Sequence, residues 1–226
     1  MRSSCDWFRM HYMRNYSLVD QLCLHADKLL RTLGGRVAST EHARPNPNLA
    51  IPEADLDTEQ KKHIAGLMRV NYAGEVCAQA LYQGQALTTR NPDLKLKLTQ
   101  AGLEEEDHLR WCQSRIHELD SHVSYLNPIW YMGSFSLGVI AGLCGDKWNL
   151  GFLEETEKQV TAHLEDHLQK IPKSDLRTHA ILETMRQEEA EHARLAHNIG
   201  AAELPQPIKS TMSFVSKIMT STAYWV

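Results

Sequence analysis

The sequence predicts an all-α fold, a four-helix bundle with an apolar crossover helix and additional helices at both ends. Three observations predict it. Apolar residues recur at steps of three and four through four long stretches, the period of one helix face. Prolines fall at or between the ends of those stretches, where a helix can tolerate them. The plan is also duplicated: Glu75 is followed 30 residues later by Glu105-x-x-His108, and Glu157 is followed 32 residues later by Glu189-x-x-His192.

Ser17 followed by Asp20 resembles a capping box variant, and Leu18, Leu22, Ala26, Leu29 and Leu33 form an apolar stripe that ends at Gly34-Gly35, which predicts a short N-terminal helix. From Arg36 to Glu59 the chain turns polar around Pro45, Pro47 and Pro52 and reads as an extended connection that either wraps the domain or stays mobile, with no visible function. Residues 1–60 are thus an N-terminal helix and connection, and residues 61–226 form the main domain.

The first core helix runs from about residue 59 to 87, with Ile64, Leu67, Asn71, Glu75, Ala78 and Tyr82 on its seam. The second, 92–119, aligns Leu94, Leu98, Ala101, Glu105, His108, Cys112, Ile116 and Leu119. The third, 149–171, aligns Leu153, Glu157, Val160, Leu164 and Leu168 and is stopped by Pro172. The fourth starts near Ser174 as N-cap, aligns Leu182, Met185, Glu189, His192, Ala196 and Ile199, and ends at Gly200.

Between the two pairs, no Asp, Glu, Lys or Arg occurs from residue 121 to 145, and the stretch is rich in aromatic, Met and small residues. As a helix over 128–145 it would be ~27 Å long, enough for the crossover of a ferritin-like bundle. Pro128, the glycines and the serines weaken a membrane-spanning reading. Burial within the bundle and an exposed apolar face that dips into one leaflet are equally consistent with it. After Pro205 and Pro207, the stripe Ile208, Met212, Val215, Ile218 and Met219 predicts a C-terminal helix that caps the bundle or lies at an interface.

A net charge of -4 with mixed signs argues against a nucleic-acid partner. The five cysteines are scattered, with no C-x-x-C, so neither a disulfide framework nor a thiolate metal site is expected, and a reducing cytosol fits. The N-terminus lacks the continuous apolar core of a secretory signal, so export is not expected.

Residues three apart on a helix share a side, so each Glu-x-x-His offers one carboxylate and one imidazole to a common point. Glu75, Glu105, His108, Glu157, Glu189 and His192 all occupy apolar seams, where an unpaired carboxylate carries a heavy desolvation cost. Divalent cations remove that cost, and this inventory is the one found in di-iron and di-manganese helix bundles. Taken singly, the acidic runs at 104–107 and 188–191 would read as solvated faces. Oxygen and nitrogen donors without thiolate favour iron or manganese over structural zinc, and a pair of Fe ions favours O2 activation.

The sequence resembles the demethoxyubiquinone hydroxylases of ubiquinone biosynthesis. The resemblance rests on Asn71-Tyr72-Ala73-Gly74-Glu75, Leu81-Tyr82-Gln83-Gly84-Gln85, Glu105-x-x-His108, Pro128-Ile129-Trp130 with Gly133 and Leu137-Gly138, and Glu188-Glu189-Ala190-Glu191-His192, and it extends from Ile64 to the C-terminus. It implies a di-iron monooxygenase, peripheral on the cytoplasmic face of the inner membrane, that hydroxylates the ring of a polyprenylated methoxy-methyl-benzoquinol. Two Fe ions would be its cofactor, O2 its co-substrate, and NADH or the quinol itself its electron donor. No G-x-G-x-x-G occurs, so a nicotinamide site would be unconventional. Partners implied are the quinol, the membrane surface, other proteins of ubiquinone biosynthesis and, through exposed apolar surface, a second copy of the chain. The matched motifs carry the same six ligands, with Glu105 and Glu157 or their equivalents across the pair as bridges. Tyr72 stands where relatives usually carry His, and His163 keeps the position of a histidine that neighbours the ligands and could orient one or relay a proton. The competing expectations are a ferritin-like peroxidase, catalase or iron-oxidising protein on the same ligands, and a membrane-associated scaffold clipped by metal.

Overall fold

The computed structural model describes residues 43–226 together with Asp20, Asp27, Leu30 and Thr32. Those four are helical; the rest of the expected N-terminal helix lies outside the described residues. The described residues form six helices and no strand: α1 (Thr58–Thr88), α2 (Pro92–Glu118), α3 (Asn127–Leu143), α4 (Asp146–Lys170), α5 (Leu176–Asn198) and α6 (Gln206–Ala223). The chain is therefore all-α, and its architecture is that of a ferritin-like bundle: α1 packs on α2, α4 packs on α5, and α3 crosses between the pairs.

Local chemistry sets the helix ends. Asp57 accepts from the Gln60 backbone N–H at 2.8 Å while the Gln60 side chain accepts from Asp57 N–H at 3.0 Å, a reciprocal cap that starts α1. Asn91 caps α2 ahead of Pro92, whose missing N–H costs nothing in a first turn. The N-cap of α5 is Asp175 rather than Ser174, with its carboxylate accepting from Thr178 N–H at 3.1 Å. Asp175 is fully buried and also receives Arg115, a tertiary demand that the local pattern does not show.

The core is split into two apolar layers. Ile64, Met68, Leu109, Ile116, Leu182 and Met185 belong to one, and Tyr82, Leu94, Leu98, Leu153 and Ala196 belong to the other. Along each of the four bundle helices, the expected ligands fall between the residues of these two layers.

Helix α3 lies against α1 at very close range. A Cβ at Gly138 would run into the Leu81 carbonyl, and one at Gly84 would run into the Phe135 carbonyl, so only glycine permits this approach. The opposite face is open: Ile129, Met132, Ile140 and Leu143 are 63, 54, 57 and 69 % exposed. The crossover is thus half buried and half exposed. No described helix is long and apolar enough to cross a membrane. On α6, Met219 and Ala223 pack against α1, whereas Val215 and Ile218 of the expected stripe are exposed beside Phe214.

The connection before α1 does have a structural role. Asn48 is buried and donates to Glu118 at 3.3 Å, Glu53 accepts from Arg115 at 2.6 and 2.9 Å and from Arg177 at 3.1 Å, and Leu56 enters the core. These contacts strap residues 43–57 along α2 and α5.

Candidate metal centre

Each bundle helix delivers its ligands from the layer between the two apolar clusters. Glu75 comes from α1, Glu105 and His108 from α2, Glu157 from α4, and Glu189 and His192 from α5. Five of the six are at most 2 % exposed, and the His192 side chain is 11 % exposed. One donor atom each from Glu75, Glu105, His108 and Glu189 lies within 4.8 Å of the others, and Glu157, Glu189 and His192 form a second such group. The sequence-predicted ligands are brought together, and Glu189 belongs to both groups.

The carboxylate orientations differ. Glu105 turns Oε2 to His108 Nδ1 at 2.8 Å and Oε1 to His192 Nδ1 at 3.4 Å. Glu189 does the same, with Oε1 at 3.0 Å from His108 Nδ1 and Oε2 at 3.5 Å from His192 Nδ1. Such splitting is what a carboxylate spanning two cations requires. Of the two histidines Glu75 pairs with His108, at 3.6 Å, and Glu157 accepts from the Tyr82 hydroxyl at Oε1. Of the alternatives the resemblance left open, Glu105 and Glu157 or their equivalents across the pair, this geometry suits Glu105 and its counterpart Glu189 as the spanning pair.

The remaining imidazole nitrogens cross between the halves. His108 Nε2 lies 2.7 Å from Glu188 Oε2, and His192 Nε2 lies 2.8 Å from Glu104 Oε2. A carboxylate on the far nitrogen fixes the ring and strengthens the near nitrogen as a donor. Arg44, from the strap, forks onto Glu188 at 2.5 and 2.9 Å and onto Asp107 at 2.6 Å. Sequence reasoning missed Glu104, Glu188 and Arg44. The signal for the first two was present: a glutamate directly precedes the Glu-x-x-His in both halves.

In the protein alone the cluster holds protons. Burial would lower both imidazolium pKa values, but Glu105, Glu188 and Glu189 raise His108 well above its ordinary range, and Glu104, Glu105 and Glu189 do the same for His192. Burial and the neighbouring carboxylates push Glu75 and Glu157 upward. Glu105 and Glu189 stay low despite burial because they face the histidines. Burial keeps the Tyr82 phenol protonated, able to donate to Glu157.

The donor set fits a pair of hard divalent cations. Glu105 Oε1, Glu157 Oε2 and His192 Nδ1 are buried without a hydrogen-bond partner, which is costly unless something else binds them. Four carboxylates match the charge of two divalent ions. Cys112 contributes no thiolate, since its Sγ faces Met185 in the core at 3.7 Å. His163 is in neither donor group. Its ring packs on His167, with centroids 3.9 Å apart, because six residues after Glu157 the helix presents a different face.

Fold and site together define a helical-bundle protein with a carboxylate-and-histidine centre suited to two metal ions. The family model described as ubiquinone biosynthesis protein COQ7 matches residues 62–223. A protein of Nitrosomonas eutropha named 3-demethoxyubiquinol 3-hydroxylase is 54 % identical over 92 % of this chain and 99 % of its own length. Proteins of the same name from Chromobacterium violaceum and Acinetobacter baumannii are 53 and 49 % identical, over 92 and 95 % of this chain and the whole of each relative. The chain belongs to the COQ7 family.

Proposed function

We propose that this chain is a 3-demethoxyubiquinol 3-hydroxylase, a di-iron monooxygenase that adds one oxygen atom to the ring of 2-polyprenyl-3-methyl-6-methoxy-1,4-benzoquinol. The observation that carries the reading is the convergence of four glutamates and two histidines from four helices on one buried layer, in a chain whose relatives carry that activity in their names. Those names favour the hydroxylase over a peroxidase, catalase or iron-oxidising protein. Iron bound there would supply the electrons that activate O2. NADH or the quinol would resupply them.

The chain's own groups have distinct tasks. Glu75 and His108 would hold one ion, Glu157 and His192 the other, and Glu105 and Glu189 would span both. An apolar cleft beside His192, with about 30 Å³ of interior space, is lined by Tyr82, Leu94, Leu98, Leu153, Leu195 and Ile199. It gives the His192 half an apolar approach, which would widen to admit the ring and exclude water from it. The polyprenyl tail belongs in a bilayer, and the exposed apolar faces of α3 and α6 suit peripheral attachment to the cytoplasmic face of the inner membrane. The same faces would also serve association with a second copy or with other biosynthetic proteins.

Iron-loaded protein given reductant, O2 and a demethoxyubiquinol analogue should yield a product heavier by one oxygen. Full iron loading with no such product would overturn the proposal. Flotation with anionic vesicles, reduced by Ile129→Glu and Met132→Glu, tests the attachment.

A further inference from the structure

The two halves of the centre are alike in sequence but unlike in what stands behind them. Behind His108, Glu188 is gripped at both oxygens by the Arg44 guanidinium, at 2.5 and 2.9 Å. Arg44 is itself held: its Nε donates to Asp107 at 2.6 Å, its backbone N–H reaches the same carboxylate at 3.4 Å, and its guanidinium lies 4.9 Å from the centre of the Trp111 ring. Trp111 in turn packs on His108, with ring centroids 5.4 Å apart. One cation from outside the bundle therefore fixes both the carboxylate and the indole that flank this imidazole.

Behind His192 there is no counterpart. Glu104 meets His192 and the neutral Gln100 amide at 3.2 Å, its side chain is 41 % exposed against 28 % for Glu188, and no Lys or Arg forms an ion pair with it among the described residues, Arg44 reaching it only by longer-range attraction. His192 is itself partly exposed while His108 is fully buried.

We propose that Arg44 is a positioning residue for the His108 half of the centre, and that it makes the two halves unequal, with the ion at Glu75 and His108 held more tightly than the ion at Glu157 and His192. A guanidinium fork locks a carboxylate at both oxygens, which an ammonium cannot do. Glu188 so locked keeps His108 Nε2 engaged and its Nδ1 aimed at Glu75, Glu105 and Glu189. Released, Glu188 would turn to solvent and leave the ring free to tilt. The loss of such an outer partner costs roughly 10- to 100-fold in metal affinity. The inference rests on the six-ligand reading above.

The test is anaerobic calorimetric titration of Fe2+ into chelator-stripped, full-length protein, with Mössbauer spectra at one equivalent. Wild type should bind two ions in unequal steps and show one dominant quadrupole doublet at one equivalent. Arg44→Ala should weaken the tighter step by roughly 10- to 100-fold, weaken the other step much less and give mixed doublets. Arg44→Lys should recover part of the loss. Glu53→Ala, which unpins the same strap from Arg115 and Arg177 without touching Glu188, should leave both steps as they are. An Arg44→Ala isotherm like wild type, equal weakening of both steps, or a Glu53→Ala isotherm matching Arg44→Ala would each overturn the proposal. Fewer than two ions in wild type would instead sink the ligand reading beneath it.

Discussion

Glu188 places its Oε2 2.7 Å from His108 Nε2, although 80 residues separate them in the chain. Glu104 and His192 repeat the arrangement in the opposite direction at 2.8 Å. In the proposed arrangement each Glu-Glu-x-x-His motif thus supplies a spanning carboxylate and an imidazole to the centre, while its leading glutamate contacts the imidazole of the other motif. The centre is one interlocked unit, so damage to either leading glutamate should be felt on the opposite helix.

Glu104→Ala should therefore weaken metal binding at the His192 half by roughly 10- to 100-fold, even though Glu104 touches no metal in the proposed arrangement. Glu104→Gln should cost less, because the amide oxygen can still accept from Nε2 but without charge. Metal retained per chain after dialysis against a graded chelator series measures both. Wild-type retention by the alanine variant would contradict the role.

Tyr82 is 1 % exposed, and its hydroxyl donates to Glu157 Oε1. Glu157 Oε2 already lacks a partner. Tyr82→Phe would leave both oxygens of a buried carboxyl without a protein donor, a loss of about 1–3 kcal/mol in metal-free protein. Urea denaturation should show this as a lower midpoint with an unchanged slope. Saturating metal should recover part of it, because a cation would engage the oxygen that the phenol released.

Much of this was legible before any coordinates, for identifiable reasons. Helices α1, α2 and α4 begin and end within about three residues of their expected limits because Asp57, Asn91 and Pro172 are local signals that act over one turn. The convergence of the six candidate ligands was legible because the same charged intruders recur in the apolar seams of both halves. Glu104 and Glu188 were not, since within an acidic run the residue facing solvent and the one facing a partner look alike, and their partners lie in the other half of the chain. Arg44 was hidden for a different reason. A proline-rich segment has no periodicity, so its contacts are set entirely by what it lies across. The apolar α3 stretch carried no polar face to orient it; only the glycines that meet Leu81 and Phe135 decide which side is buried.

Among the described residues Arg115 is the largest fully buried side chain, and it joins three parts of the molecule: Glu53 of the strap, Glu118 of its own helix, and Asp175 with Thr178 at the start of α5. Removing one partner of a buried ionic network leaves the other charges uncompensated, at about 3–5 kcal/mol. Arg115→Ala should lower the thermal midpoint sharply. Arg115→Met should fare better because it fills the volume, and a second change, Asp175→Asn, should add less to Arg115→Ala than it costs alone. Strict additivity of the two would show that the network is not shared.

His163 and His167 give the fold an acid-sensitive element away from the metal layer. Burial lowers His163 to about 4, despite the nearby Asp166 charge, and burial together with His163 and Lys170 lowers His167 to about 2. His163 Nε2 and His167 Nδ1 are buried without hydrogen-bond partners, so only the Asp166 charge favours protonation of the folded His163, and burial outweighs it. Unfolded, both rings titrate near 6.5. Below that pH the unfolded chain binds more protons than the folded one, so their contribution to stability is intact at neutral pH and is lost as pH falls from 6.5 toward 4. For His163 the full effect is on the order of 3 kcal/mol. His108 and His192, held protonated by their carboxylates, act with the opposite sign in metal-free protein, so the raw pH profile is a composite. The difference between wild type and a variant isolates the pair. In urea denaturation of metal-free protein, His167→Gln should become progressively more stable relative to wild type as pH is lowered from neutral through this window, whatever it costs at neutral pH. Parallel profiles for wild type and variant would mean that the two rings are solvated in the folded protein and carry no such sensitivity.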